Sequence, residues 1–292
     1  MYLHADDFGI TFEQARDILK LSDSCGGNGS LTSVSAFANS PAFPDAIALA
    51  LPHARAGRLR VALHVNLVEG YPVAPADELD MLVDERGAFK LDFLGLLIKG
   101  AGPQRAKLAD QIERECAAQI ARFVAEFPES RSGLIVDSHQ HAHAIPVVFD
   151  ALSTAARAQN CRISHMRIPE ERLSAYRACG RAADIGLANR AKCLILNRLS
   201  RRMRENLPRG CKAGPFCGVA LSGSMDRMDL RLARAIEQAS SVEDGELEVL
   251  FHPVSVSDDL CLDPENKPFA AACASPARDA EAHVVREWPR QR

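Results

Sequence analysis

The sequence has no apolar run that approaches the length of a transmembrane helix, and its charges are nearly balanced. The formal net charge of -3 at pH 7 gives no general reason to expect nucleic acid or an anionic membrane surface as a partner. The first apolar run meets charge at Asp6, so neither a basic leader nor a signal-peptide core is recognisable. We therefore expect a cytoplasmic protein without membrane insertion that acts on a small molecule.

Paired cysteines and aromatic residues are also scarce. The nine cysteines are odd in number and include no Cys-x-x-Cys pair, which favours reduced thiols over a disulfide framework. Aromatic residues make up only 5% of the chain, with a single tryptophan, Trp288. A binding site built from several stacked aromatic rings is therefore not expected, and a ligand would be held mainly by polar groups.

The composition is that of one globular unit. With 292 residues, of which 47% are hydrophobic, the chain can bury a substantial core. A barrel of alternating strands and helices of this size forms one domain rather than two. We expect a single domain over residues 1–292.

Four short apolar runs each end in an acid, a histidine or both. Apolar runs bounded by turn residues are typical of buried strands, and strands that alternate with helices predict an α/β fold with a parallel sheet or a (β/α) barrel. The carboxyl ends of such strands share one mouth, where polar side chains from distant segments meet. The runs are residues 1–5, 61–63, 134–136 and 249–251, followed by Asp6-Asp7, His64, Asp137-Ser138-His139 and His252.

The segments between these runs contain helix signals and one interruption. Thr11 and Gln14 have capping spacing, which predicts a helix from residue 11 to about residue 24. Residues 105–127 show helical periodicity, whereas residues 68–102 break the pattern and are interpreted as a loop insertion, a lid or substrate loop. Residues 177–209 are basic, which we interpret as a solvated helix face in preference to a site for an acidic partner.

The polar ends of the strands have the composition of a metal site. Asp137, His139, His141 and His143 alternate, so they would share a face if the strand continued through them. Two imidazoles and a carboxylate bind a divalent metal and leave positions open for water and substrate. A single buried histidine is usually just hydrogen-bonded, but this number of imidazoles beside two aspartates favours ligation.

Asp6 and Asp7 are expected to have separate roles. Neighbouring residues on a regular strand face opposite sides, but the chain turns at Phe8-Gly9, which allows both carboxylates to reach the mouth. One as metal ligand and the other as general base is the simplest division. The alternative is that one of them caps a helix or holds a turn.

Four segments taken together resemble the YdjC-like carbohydrate deacetylases. They are His4-Ala5-Asp6-Asp7-Phe8-Gly9, Leu63-His64-Val65-Asn66-Leu67, Asp137-Ser138-His139-Gln140-His141-Ala142-His143 and Phe251-His252-Pro253. That family includes chitooligosaccharide deacetylase and a deacetylase of hopanoid biosynthesis. The resemblance implies a single distorted (β/α) barrel related to the polysaccharide deacetylases.

The resemblance also implies roles for individual residues. The metal ligands would be Asp7, His64 and His139, with Asp6 as base and His252 as acid. His141 and His143 match family positions that line the substrate pocket or orient ligands. The implied reaction is hydrolysis of an N-acetyl group on an amino sugar, with release of acetate.

Further expectations concern the metal, the substrate contacts and the assembly. The resemblance favours Mg²⁺ and the ligand chemistry favours Zn²⁺, so we expect one divalent ion of either kind. Polar substrate contacts are expected from Asn39, Asn66 and Arg167 near strand ends, and substrate choice from the variable region 174–223. We also consider a homo-oligomer formed through the exposed helices.

Two rival classes of function remain. Another mononuclear metal hydrolase, an amidohydrolase or a phosphoesterase, also places histidines at strand ends. Amidohydrolases typically carry a His-x-His pair on the first strand, where this chain has Asp6 and Asp7. A non-catalytic protein that binds sugar or metal is the third class, and it needs neither a base nor an acid beside the metal.

Overall fold

The computed structural model describes residues 1–240 and 245–289, and its centre is one sheet of seven parallel strands. The sheet order is β5-β4-β3-β2-β1-β7-β6, so the first strand lies in the interior of the sheet and its neighbours come from both ends of the chain. The strands are β1 (Tyr2–Phe8), β2 (Leu31–Ala36), β3 (Arg60–Val65), β4 (Leu134–Ser138), β5 (Ile163–Met166), β6 (Phe216–Cys217) and β7 (Glu248–Phe251).

The two edges of this sheet approach each other. His165 on β5 forms a parallel bridge with Lys212, a residue shortly before β6. Lys212 N donates to Ser164 O at 2.9 Å, and Met166 N donates to Lys212 O at 3.0 Å. The sheet is therefore curled into a distorted, incompletely closed barrel, which confirms the predicted α/β class.

Ten α-helices are described around the sheet. In the described part of the chain, no helix has the length and apolar character needed to cross a bilayer. The helices are α1 (Phe12–Leu19), α2 (Phe43–Arg55), α3 (Phe93–Gly100), α4 (Arg105–Glu126), α5 (Pro146–Ala158), α6 (Leu173–Ala178), α7 (Leu187–Glu205), α8 (Leu230–Ala239), α9 (Lys267–Cys273) and α10 (Pro276–Glu287).

The first helix begins as predicted but ends earlier. The Thr11 side chain caps α1 by accepting a hydrogen bond from Gln14 N at 3.1 Å. The helix stops at Leu19 because the following segment folds back, and Ser22 pairs with Ser30 in an antiparallel bridge. The predicted extension to about residue 24 was wrong.

Residues 68–102, which interrupt the alternation of strands and helices, are held in place by a stripe of polar side chains on α4. Gln111, Glu115 and Gln119 are spaced by four residues and lie on one buried face of this helix. Each accepts hydrogen bonds from backbone N–H groups of the incoming segment, which would otherwise be unsatisfied on burial. The donors are Met81 to Gln111, Val73 and Ala74 to Glu115, and Asn66 to Gln119. The segment also contains α3, and its role as a lid stays a prediction.

Candidate metal centre

A bulge near the end of β1 brings two consecutive aspartates to one place. The pairing of β1 with β2 shifts register between Ala5 and Phe8, and Asp7 has a left-handed backbone with φ of 60°. Aspartate tolerates this conformation better than most residues. As a result, His64 Nε2 lies 3.5 Å from Asp7 Oδ1 and 4.0 Å from Asp6 Oδ2. Both carboxylates reach the mouth, as expected from the turn that follows.

Asp7, His64 and His139 form a compact, buried group. One ligand atom from each lies within 4.8 Å of the others. His139 Nδ1 lies 3.1 Å from Asp7 Oδ1, and the His64 and His139 rings meet edge to face with centroids 5.7 Å apart. These side chains come from the ends of β1, β3 and β4, so the predicted trio is brought together in the fold.

The donor atoms of this group suit a divalent cation. The Nε2 atoms of His64 and His139 are buried and have no hydrogen-bond partner in the described chain. A buried polar atom without a partner costs free energy, and a cation held by this group would give such an imidazole nitrogen a partner. One carboxylate and two imidazoles form a donor set that zinc and other divalent ions accept.

Asp137 fixes the orientation of the His64 ring. Its Oδ1 lies 2.5 Å from His64 Nδ1, and Ser35 Oγ lies 3.0 Å from the same nitrogen. This leaves Nε2 directed toward Asp7, as in carboxylate–histidine–metal arrangements. Burial lowers the pKa of His64, but Asp6 and Asp137 outweigh it and raise the pKa to about 10. A cation bound at Nε2 would therefore displace a proton.

Arg167 lies beneath the site, inside the barrel, rather than at an accessible substrate surface. Its side chain is only 1% exposed, because three buried carboxylates need a counter-ion there. Its Nη1 and Nη2 donate to both oxygens of Asp6, at 2.9 and 2.8 Å. Its Nη2 also lies 2.9 Å from Asp137 Oδ2, and its Nε donates to Glu248 Oε1 at 2.6 Å. The structure thus gives Arg167 a position that supports Asp6 instead of the expected substrate contact.

Asp6 is held as an ionised carboxylate. Burial raises its pKa, but the Arg167 guanidinium and His64 outweigh burial and bring the pKa well below the usual range. Ser35 Oγ donates to Asp6 Oδ1 at 2.9 Å, and His4 Nε2 lies 3.1 Å from the same oxygen. The carboxylate is therefore fixed and charged at neutral pH.

The helix α10 contributes two residues that sequence reasoning missed. Arg278 Nη2 donates to Asp7 Oδ2 at 2.6 Å, and Glu281 accepts a hydrogen bond from His252 N at 2.6 Å. Burial raises the pKa of Asp7, but Arg278 and His139 outweigh it and lower the pKa well below the usual range. Neither residue belongs to a recognisable motif, and the one available signal is a buried charge on an amphipathic helix.

His252 follows β7 and is partly buried beside the two aspartates. Burial lowers its pKa to about 4, although Asp7 and Asp6 act in the opposite direction. The imidazole is therefore neutral at pH 7. The predicted acid thus lies near the metal trio, but it needs to gain a proton before it can donate one.

Asn39 and Asn66 brace the loop that follows β3. Asn66 Nδ2 donates to Asn39 Oδ1 at 3.2 Å and to Glu69 O at 2.8 Å. Asn39 Nδ2 donates to the backbone oxygens of Glu69 and Tyr71. Both side chains are buried, Asn66 completely, so their amides support the loop instead of lying free for a substrate.

The histidine-rich segment does not continue as a strand. After Ser138 the chain enters a 3₁₀ turn, in which Gln140 and His141 have left-handed backbones with φ of 52° and 57°. The alternate residues therefore do not share one face, contrary to the conditional expectation. Both ring nitrogens of His143 are engaged, Nδ1 with Ser138 Oγ at 2.6 Å and Nε2 with Arg167 O at 2.8 Å. His143 is therefore held in place from both sides of its ring, and its role stays a prediction.

His141 and Glu69 differ in how far their polar atoms are paired. His141 packs edge to face against Phe216, and its buried Nδ1 has no partner in the described chain. Glu69 was not singled out from the sequence. Its carboxylate accepts from Asn266 Nδ2 at 2.8 Å and Gln140 Nε2 at 3.2 Å, and burial raises its pKa to about 7, with His139 acting in the opposite direction.

Comparisons with known proteins agree with this architecture. A mouse protein described as "Carbohydrate deacetylase" is 30% identical over 85% of this chain and 76% of its own length. A "Chitooligosaccharide deacetylase" of Serratia marcescens is 27% identical over 69% of this chain and 75% of its own length. The match to a Geobacillus stearothermophilus "Carbohydrate deacetylase", 33% identical, covers 56% of this chain and 59% of the relative.

A solved structure and a family model cover nearly the whole chain. The structure is an Enterococcus faecalis V583 protein provisionally described as a cellobiose-phosphate cleavage protein. It superimposes with a TM-score of 0.61 at 18% identity, over 98% of this chain and 90% of the other, which supports the fold alone. The family model described as "YdjC-like protein" matches residues 1–288. The chain therefore belongs to the YdjC-like protein family.

Proposed function

We propose that the protein is a metal-dependent carbohydrate deacetylase that hydrolyses the N-acetyl group of an amino sugar. One observation carries the proposal: Asp7, His64 and His139 converge with unpartnered imidazole nitrogens beside the fixed, ionised carboxylate of Asp6. A cation site next to a base is what amide hydrolysis by water requires. The names of the relatives support an N-acetylated sugar as substrate.

Each residue has a defined part in this proposal. Asp7, His64 and His139 hold one divalent ion, Mg²⁺ or Zn²⁺, which when bound would polarise the acetyl carbonyl and acidify a water molecule. Asp6 takes a proton from the attacking water, because Arg167 keeps it ionised and correctly oriented. Arg278 holds Asp7 in place by donating a hydrogen bond to its Oδ2.

The role of His252 follows from counting the protons that the reaction moves. The water oxygen ends in acetate, and the leaving nitrogen needs one proton to depart as an amine. Since His252 is neutral at pH 7, it has no excess proton of its own to supply. We assign the proton removed by Asp6 as the one that His252 delivers to nitrogen.

The test is acetate release from N-acetylglucosamine and short chitooligosaccharides, measured with metal-loaded protein and after treatment with a chelator. We expect release that the chelator abolishes and that added Zn²⁺ or Mg²⁺ restores. Metal-loaded protein that releases no acetate from any N-acetylated sugar would contradict a deacetylase. Hydrolysis of phosphate esters in its place would favour the rival class of metal hydrolase.

Two variants separate binding of the metal from chemistry. His139→Ala should lose both the metal and the activity, because it removes one of three ligands. His252→Ala should retain the metal but lose most turnover, about 10²–10⁴-fold for a lost proton-transfer group. Metal analysis of both purified variants checks this, and His252→Ala with full activity would overturn the assigned role.

A further inference from the structure

The exposed face of α7 is unusual for a surface helix. Leu187, Ala191, Leu194, Arg198 and Arg201 recur every three or four residues and therefore share one face. Leu187 is 85% exposed and Leu194 is 67% exposed. The buried residues Cys193, Leu196, Ser200 and Met203 lie on the opposite side. We call the surface formed by Leu187, Ala191, Leu194, Arg198 and Arg201 the α7 face. Its leucines do not contribute to the core.

The charge on this helix is one-sided. The helix contains six basic residues and one acidic residue, Glu205. Arg202 and Arg204 are paired with Asp150 and Glu170. Arg198 and Arg201 form no ion pair with any residue in ranges 1–240 and 245–289. The α7 face therefore presents leucines along its first half and free guanidinium groups along its second half. This local positive charge is not evident from the net charge of -3 for the whole chain.

A second helix also carries exposed aliphatic side chains. On α3, Leu94 is 53% exposed and Ile98 is 70% exposed. Both α3 and α7 pack against the turn His139–Ala144, which carries a residue of the candidate metal centre. Exposed aliphatic side chains therefore flank this turn from two helices.

The charge distribution distinguishes between possible occupants. Leucines beside unpaired basic residues on one helix face fit an anionic lipid surface, which takes the apolar side chains below its headgroups and the guanidinium groups at its phosphates. A second copy of the chain would place Arg198 and Arg201 against the same arginines in a parallel pairing, or against leucines in an antiparallel one, so neither arrangement supplies them with an anion. We propose that the α7 face, together with Leu94 and Ile98, docks the protein on an anionic lipid surface.

The test uses the full chain and two kinds of vesicle. In a sedimentation assay at low salt, we expect binding to vesicles of phosphatidylglycerol and phosphatidylcholine in equal parts. Binding to pure phosphatidylcholine should be at least about tenfold weaker, and added salt should weaken the binding to anionic vesicles. Equal binding to both vesicles, or to neither, would overturn the proposal.

Two variants and a matched control localise the surface. Arg198→Glu with Arg201→Glu should reduce partitioning into anionic vesicles by at least about tenfold. Leu187→Asp with Leu194→Asp should do the same, and both leucines are too exposed to be needed for folding. Arg231→Glu with Arg234→Glu makes the same charge change on exposed positions of α8 and should retain most binding.

Two further outcomes would overturn docking on an anionic lipid surface through the α7 face. An α8 control that loses as much binding as the α7 variant would show that net charge, not this face, is responsible. Self-association in sedimentation velocity that Leu187→Asp with Leu194→Asp abolishes would instead assign the face to a second copy. Acetate release is measured separately on a soluble sugar, so failure of docking and failure of the proposed reaction are distinguishable.

Discussion

Asp6 and Asp7 are neighbours in sequence but have different counter-ions in the barrel. Asp6 is bound by Arg167, which directly follows β5, and Asp7 is bound by Arg278 from α10. Both guanidinium groups are buried, so each carboxylate is fixed and charged without competition from water. This difference in position, not in intrinsic chemistry, supports the proposed division into base and ligand.

Arg167 is predicted to be essential for stability as well as for the site. Arg167→Met leaves Asp6, Asp137 and Glu248 buried without their shared cation. The free energy of unfolding should fall by about 3–5 kcal/mol, measured by denaturant titration at pH 7. Arg162→Met, an exposed arginine next to the same strand, should cost less than about 1 kcal/mol. Equal losses in the two variants would contradict this role.

Asp137 is predicted to control metal affinity through His64. Asp137→Asn replaces the charged partner of His64 Nδ1 and should weaken binding of Zn²⁺ by about 10–100-fold. A competition titration against a chelator measures this. Glu248→Gln is the matched control, because it alters the same group around Arg167 without touching His64. If the control weakened binding equally, orientation of His64 would not be the cause.

The metal trio could be predicted from the sequence because each member lies at, or just after, the carboxyl end of an apolar strand. Arg278, Glu281 and Glu69 could not be predicted in this way, since they come from a helix and a loop whose packing depends on the tertiary fold. Arg167 was noticed as a residue near a strand end, but its direction was not predictable. Only the folded barrel shows that three carboxylates surround it.

The helix α4 shows how one element can order a long connection. Its apolar positions predicted the helix, and the structure has Arg105–Glu126 where residues 105–127 were expected. The polar stripe of Gln111, Glu115 and Gln119 was not recognised, because polar residues within an amphipathic helix are normally assigned to solvent. Here they are buried and bind the backbone of the segment that follows β3.

Glu115 is predicted to make stability depend on pH. Burial raises its pKa to about 7, although the Val73 and Ala74 N–H groups act in the opposite direction. Because the folded pKa lies above the unfolded value, its contribution is fully present below about pH 4.5 and is lost as pH rises through about 7. Between pH 5 and pH 8 this group should cost about 2 kcal/mol of unfolding free energy.

Denaturant titrations at the two pH values check this prediction. Glu115→Gln should reduce the loss between pH 5 and pH 8 by about 2 kcal/mol. Glu126→Gln, at an exposed position of the same helix, should leave the pH dependence unchanged. A Glu115→Gln variant with the pH dependence of the unaltered chain would contradict a raised pKa.

The whole molecule brings the site together through strand order. β1 lies between β2 and β7, so the first residues of the chain pair with a strand near its end. The α/β class was predictable from alternating apolar runs and helices, but the sheet order and the incomplete closure at Lys212 were not. Those features depend on how the strands twist and pack, which leaves no local signal in the sequence.

The most direct test of the account is anomalous diffraction from crystals of the protein loaded with Zn²⁺. We expect one strong peak in the mouth, about 2.0–2.3 Å from one donor atom each of Asp7, His64 and His139. A second buried group, formed by Asp6, His64 and Asp137, offers a competing position within the same barrel. A peak bound by that group, or no peak beside Asp7, would contradict the account.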